Sequence, residues 1–166
     1  MDLGTFLVGA IMIMVFVVPI VLASRSRKNK EKQILQSLQN LANEADTKIS
    51  LYDLWDTTII GMSETSHKLF FYRKTDDLEI NHSVDFHSIQ KCSVHTISRT
   101  LKSNNEDYVI IDKLELCLTI IDKSKREIIL EFYNTDVSTQ MNGELALVEK
   151  WNKIINNTLT SKRQSA

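Results

Sequence analysis

The apolar positions of this chain change spacing three times. From Leu3 to Ala23 there is no charge, and Thr5 is the one clearly polar side chain. Those 21 residues, as a helix, reach about 30 Å, the thickness of a bilayer's hydrocarbon core. From Lys28 to Asp46 the apolar residues fall at Ile34, Leu35, Leu38, Leu41, Ala42 and Ala45, which is helical spacing uninterrupted by Pro or Gly. Beyond Asp46 the period shortens to two. "WDTTIIGM", "HKLFFYRK", "EINHSVDF", "IQKCSVHTI", "DKLELCLTII" and "REIILEFY" all read as strands. In the fifth, Leu114, Leu116, Leu118 and Ile120 share one face, and Lys113, Glu115, Cys117 and Thr119 share the other. The helical period returns in "NGELALVEKWNKIINNTL", where Leu147, Val148, Trp151, Ile154, Ile155 and Leu159 form a wide stripe. Asn142 is the expected N-cap, and Lys150, on the polar face, is expected to matter little for stability.

The pattern divides the chain into residues 1–24, 25–46, 47–160 and 161–166: an apolar anchor, a basic segment with a stalk helix, a folded β domain ending in a helix, and a tail. Six or seven strands closed by one helix predict a mainly-β (α+β) domain. Its expected form is a strongly bent antiparallel sheet or partly open barrel, with Leu147, Val148, Trp151 and Ile155 as the core plug.

Charge bears on the first segment. Arg25, Arg27, Lys28, Lys30 and Lys32 crowd directly behind the apolar run. A secretory signal is the rival reading, with Val21-Leu22-Ala23 as the cleavage site. However, the run is long for one, and Asp2 stands where a signal carries a base. The positive-inside rule instead predicts a retained single-pass anchor in a bacterial inner or plasma membrane, N-terminus outside and body cytoplasmic. The basic cluster then lies at the membrane surface, where it would attract anionic lipid. The stalk helix lies on its own domain or pairs with a second copy in a weak homodimer. Beyond residue 32 there are 15 basic and 19 acidic residues, a balance that argues against nucleic acid as a partner.

Candidate chemistry is sparse. His82, Asp85 and His87 are close in sequence, but strand alternation splits them between two faces. His67 and His95 have no partner at ligand spacing, and neither Cys92 nor Cys117 has a neighbour in its own strand that favours a thiolate. Phosphate loops and the usual hydrolase and metalloprotease motifs are missing. No metal, cofactor or catalytic set is expected.

The strand order and the tryptophan of the last helix resemble the pleckstrin-homology-like superfold over residues 50–160. The layout is also similar to small membrane proteins of Bacteroidota, through "HKLFFYRK", "SVDFHSIQKCSV", "IDKLELCLTIID", "LEFYN" and "GELALVEKWNKIIN". In lipid-binding members of the superfold the first hairpin is basic. Here its turn carries Glu64 and His67, with only Lys68, Arg73 and Lys74 beside it, a departure that argues against headgroup specificity. The expectation is a membrane-tethered, non-catalytic interaction or scaffold module with a protein partner. The alternative is a membrane-surface sensor reading anionic lipid through the basic segment.

Overall fold

The computed structural model describes residues 3–75, 78–103, 106–122 and 126–164. Helix α1 (Leu3–Glu44) leads into four strands, β1 (Leu51–Trp55), β2 (Thr58–Ser63), β3 (Lys68–Lys74) and β4 (Glu79–Asp85). A single 3-10 turn, Phe86–Ser88, redirects the chain into β5 (Ile89–Ser103), β6 (Glu106–Ile120) and β7 (Glu127–Asn134), and helix α2 (Glu144–Gln164) follows. Every pairing is antiparallel between sequence neighbours. The strands form two sheets, β1-β2-β3-β4 and β5-β6-β7, with no ladder joining them among the described residues.

The expected bent sheet or partly open barrel is corrected here to two open sheets of four and three strands. The break comes at Asp85. Its carboxylate accepts the His87 backbone N–H at 2.7 Å, capping the turn, and β5 leaves that turn to pair with β6 instead of continuing beside β4.

The sheets pack face to face. Ile60, Met62, Leu69, Phe71 and Val84 of the first meet Leu114, Leu116, Leu118, Leu130 and Phe132 of the second in one apolar cluster. Trp55 bridges the two, its ring stacked on Phe132 with centroids 4.6 Å apart and its Nε1–H donated to the Phe132 carbonyl at 3.0 Å. Arg73, buried in β3, pairs with Glu131 of β7, whose other oxygen accepts from Asn134 Nδ2 at 2.9 Å.

Helix α2 meets the same cluster. Val148, Trp151 and Ile155 have no exposed surface, Leu159 is buried, and Leu147 and Ile154 lie half-buried against them. The first intrahelical bond runs from Leu147 N–H to the Gly143 carbonyl at 3.1 Å, so the cap lies one residue beyond Asn142. Gly143 holds φ +104°, a conformation that suits glycine. Asn142 instead donates its own N–H to the Glu144 carboxylate. Lys150 is not a bystander, because its Nζ lies 2.6 Å from Asp53 Oδ2 in β1.

The first sheet is covered on its other face as well. Ile34, Leu38 and Ala42 of α1 pack on Ile59, Phe70 and Tyr72 in a second apolar cluster. That is why every residue of β2 is buried. Leu38 lies directly over Gly61. A Cβ there would sit 2.9 Å from Leu38 Cδ2 and 3.2 Å from the Leu51 carbonyl oxygen, so only glycine admits this approach.

The placement of α1 corrects the expectations about the N-terminal half. Among the described residues no helix is long and apolar enough to cross a membrane. Leu3–Ala23 enters α1 as helical backbone. Of its side chains only those of Met14, Val17 and Val18 are described, and all three are exposed. The rest of that apolar run lies outside the described side chains. From Arg25 onward the described face of α1 turned to solvent is charged and polar, and the apolar stripe is occupied by the first sheet. The single-pass anchor, the N-out topology with its inner-membrane placement, and the bilayer as partner are corrected on this finding. So is the stalk homodimer, because Ile34, Leu38 and Ala42 are already buried within the chain.

Candidate metal centre

The outer face of the second sheet carries the polar half of the β6 alternation. Direct partners in an antiparallel ladder share a face, and so do residues two apart on one strand. His95 pairs with Glu115, and Ser93 pairs with Cys117. His95, Glu115 and Cys117 therefore converge, and one ligand atom from each lies within 4.8 Å of the other two. The closest approach is Cys117 Sγ to His95 Nδ1, at 3.2 Å. The other ring nitrogen, Nε2, lies 3.5 Å from Ser93 Oγ. His95 is exposed, Glu115 half-buried and Cys117 buried, so the cluster opens outward on a shielded sulfur.

This set fits a tetrahedral divalent ion. With Zn–S near 2.3 Å and Zn–N near 2.0–2.1 Å, the sulfur–nitrogen edge of a tetrahedral site is about 3.6 Å. The 3.2 Å separation is already close to that, and side-chain torsions supply the remaining adjustment. Ser93 is placed to hold Nε2–H while Nδ1 faces the ion, the kind of outer hydrogen bond that fixes a ligand imidazole. Sulfur, imidazole and carboxylate together suit zinc and its borderline neighbours rather than calcium or magnesium.

Electrostatics separate this reading from a nucleophilic one. Burial, then the charges of Glu115 and Glu127, push the Cys117 thiol up to about 11. A reactive cysteine needs the opposite shift. The same carboxylates draw in a cation, which displaces the thiol proton when it binds. Cys92, on the core face, is raised to about 12 by burial and then by the charge of Cys117.

These two thiols make stability depend on alkaline pH. Both folded values lie above the ordinary 9.0, so the folded chain holds the protons more tightly than the unfolded chain. The stabilisation is complete below about pH 9 and is lost as pH rises through 11 and 12. Urea midpoints should fall steadily above pH 9 in the wild type. A Cys92→Ala/Cys117→Ala variant should show a shallower fall, from a lower starting stability. An unchanged slope in that variant would assign the alkaline loss to other groups.

The other sequence candidates are placed elsewhere. Asp85 and His87 meet, with Oδ1 2.9 Å from Nδ1, but at the capped turn. The His87 ring lies edge-on to His67, with centroids 6.0 Å apart. His82 is half-buried beside Phe71, and burial lowers its pKa. Arg25, Lys28, Lys30 and Lys32 lie exposed along α1, and the Arg27 side chain is outside the described residues. Sequence reasoning missed His95 as a ligand, because its partners lie 20 and 22 positions away on the facing strand. The available signal was the alternation that put Glu115 and Cys117 together.

No family model, curated protein or solved structure matches the chain. The resemblance to pleckstrin-homology-like domains and to membrane proteins of Bacteroidota is corrected accordingly. Its strand count is met by two unclosed sheets. The burial of Trp151 follows from contact with the apolar cluster and from its bond to Asp53.

Proposed function

We propose that this protein is a non-catalytic binding domain for a divalent transition-metal ion, with zinc as the best chemical fit. The ligands are Cys117 Sγ, His95 Nδ1 and a Glu115 carboxylate oxygen. The observation that carries the reading is their convergence within 4.8 Å on one ladder face. Three protein ligands leave a position for water or for a group on another molecule. Neither membrane attachment nor a lipid partner forms part of this reading. The raised thiol, buried beside the exposed His95, favours holding an ion over activating a nucleophile.

Cobalt is the direct probe, because a thiolate–cobalt bond gives a charge-transfer absorption that oxygen and nitrogen ligands alone do not. Co²⁺ titration of the reduced full-length chain should develop that band at one equivalent, and Zn²⁺ should bleach it. Cys117→Ser should abolish the band. His95→Ala should weaken affinity by about 10–100-fold or more, since it removes a ligand outright. With one thiol proton released per ion, affinity should rise about tenfold per pH unit from neutral pH upward. An absent band, or a band that survives in Cys117→Ser, overturns the assignment.

A further inference from the structure

A second site lies on the opposite side of the molecule, where α1 crosses the first sheet. Lys30, Gln33, Ile34 and Ser37 occupy one helical face and look across a cleft of about 250 Å³ at Tyr72 and Lys74 of β3. Ile34 is buried and forms an apolar wall, while Lys30 and Lys74 are exposed at the rim. Lys74 is fixed at its backbone, where its N–H is donated to the Thr57 carbonyl at 3.0 Å. Among the described residues, none of the eight that line the cleft is acidic. Glu79 brings a carboxylate to the rim, 3.8 Å from Lys74 Nζ in a pair exposed on both sides.

Two ammonium groups, a phenol, three hydroxyls and a carboxamide around one small concavity form a donor-rich, cationic recess. We propose that this cleft binds a compact phosphate monoester, its phosphate between Lys30 and Lys74 and its short organic part against Ile34. A dianionic phosphate suits two lysine point charges, each compact and strongly donating. The volume lies just below the usual range for drug-sized ligands, about 300–1,000 Å³, and so selects for a small molecule. The Glu79 pair is weak, because both partners are exposed, and it yields to a dianion. This site is independent of the metal centre and shares no residue with it.

Titration of the isotope-labelled full-length chain with glycerol phosphate, inorganic phosphate and succinate tests the proposal. In low salt, glycerol phosphate should shift the amides of Ser37, Tyr72 and Lys74 saturably. Inorganic phosphate should do so more weakly, and succinate hardly at all. Lys30→Gln/Lys74→Gln should reduce affinity at least about tenfold without moving the thermal midpoint, since both side chains are exposed. Glu79→Gln should tighten binding about two- to threefold by removing a competing charge. Lys153→Gln, on α2, should leave it unchanged. Equal loss in Lys153→Gln, shifts centred elsewhere, or succinate binding as tightly as glycerol phosphate would each overturn the assignment.

Discussion

Trp151→Ala should lower the unfolding free energy by about 3–5 kcal/mol, the cost of truncating a fully buried tryptophan. That is a large share of the roughly 5–15 kcal/mol a domain of this size holds. The side chain has no exposed surface and stands between Val148 and Ile155 in the apolar cluster to which both sheets contribute. Its indole Nε1 donates to Asp53 Oδ2 at 2.9 Å, so α2 is tied to β1 as well as to the apolar cluster. Trp151→Phe, which keeps most of the volume and loses the bond, should fall between wild type and alanine. Lys150→Ala should cost no more than about 1 kcal/mol, because its pair with Asp53 is half-exposed. Urea melts of the three variants at pH 7 make the comparison. A wild-type midpoint for Trp151→Ala would show that α2 does not hold the two sheets together.

Leu38→Ala should cost about 2–5 kcal/mol, for the same reason applied to the other layer. Leu38 is fully buried where α1 crosses β2, and its Cδ2 fills the space a side chain on Gly61 would need. Gly61→Ala should therefore cost about 1–3 kcal/mol through overpacking. The two changes should not add. Removing the leucine frees the position the new methyl needs, so the double variant should be more stable than the sum of the single effects by at least about 0.5 kcal/mol. Simple additivity would mean that α1 does not rest on β2 in solution. The corrected account of the N-terminal half depends on this packing.

The strands were readable because a half-buried strand must alternate. Leu114, Leu116 and Leu118 against Glu115 and Cys117 could hardly be anything else. The α2 stripe was readable for the equivalent reason at period 3.6. In β2 and β3 the pattern is less regular because both faces are covered, one by α1 and one by the second sheet. Local patterning shows that a face is apolar and does not name what covers it. The stripe on α1 could therefore be read as a dimer seam or as a docking face, and the tertiary structure decided for docking.

The metal centre shows the same limit at the level of single residues. The β5–β6 hairpin pairs Ser103 with Glu106, and that register continues to Ser98 with Ile111. Continued unbroken, it would set His95 opposite Leu114, on the core face. A bulge between Ile97 and Ser98 leaves Asp112 as an extra residue and advances the pairing by one, so that His95 meets Glu115. Sequence alone determined which residues alternate, which helix faces are apolar and where β gives way to α, because these follow from neighbours a few positions apart. The tertiary structure alone decided that the strands form two sheets, that α1 lies on one of them, and that a histidine, a glutamate and a cysteine share one face. Each of those outcomes rests on contacts between residues far apart in the chain, where a one-residue shift in register sends a side chain to the opposite side of the sheet.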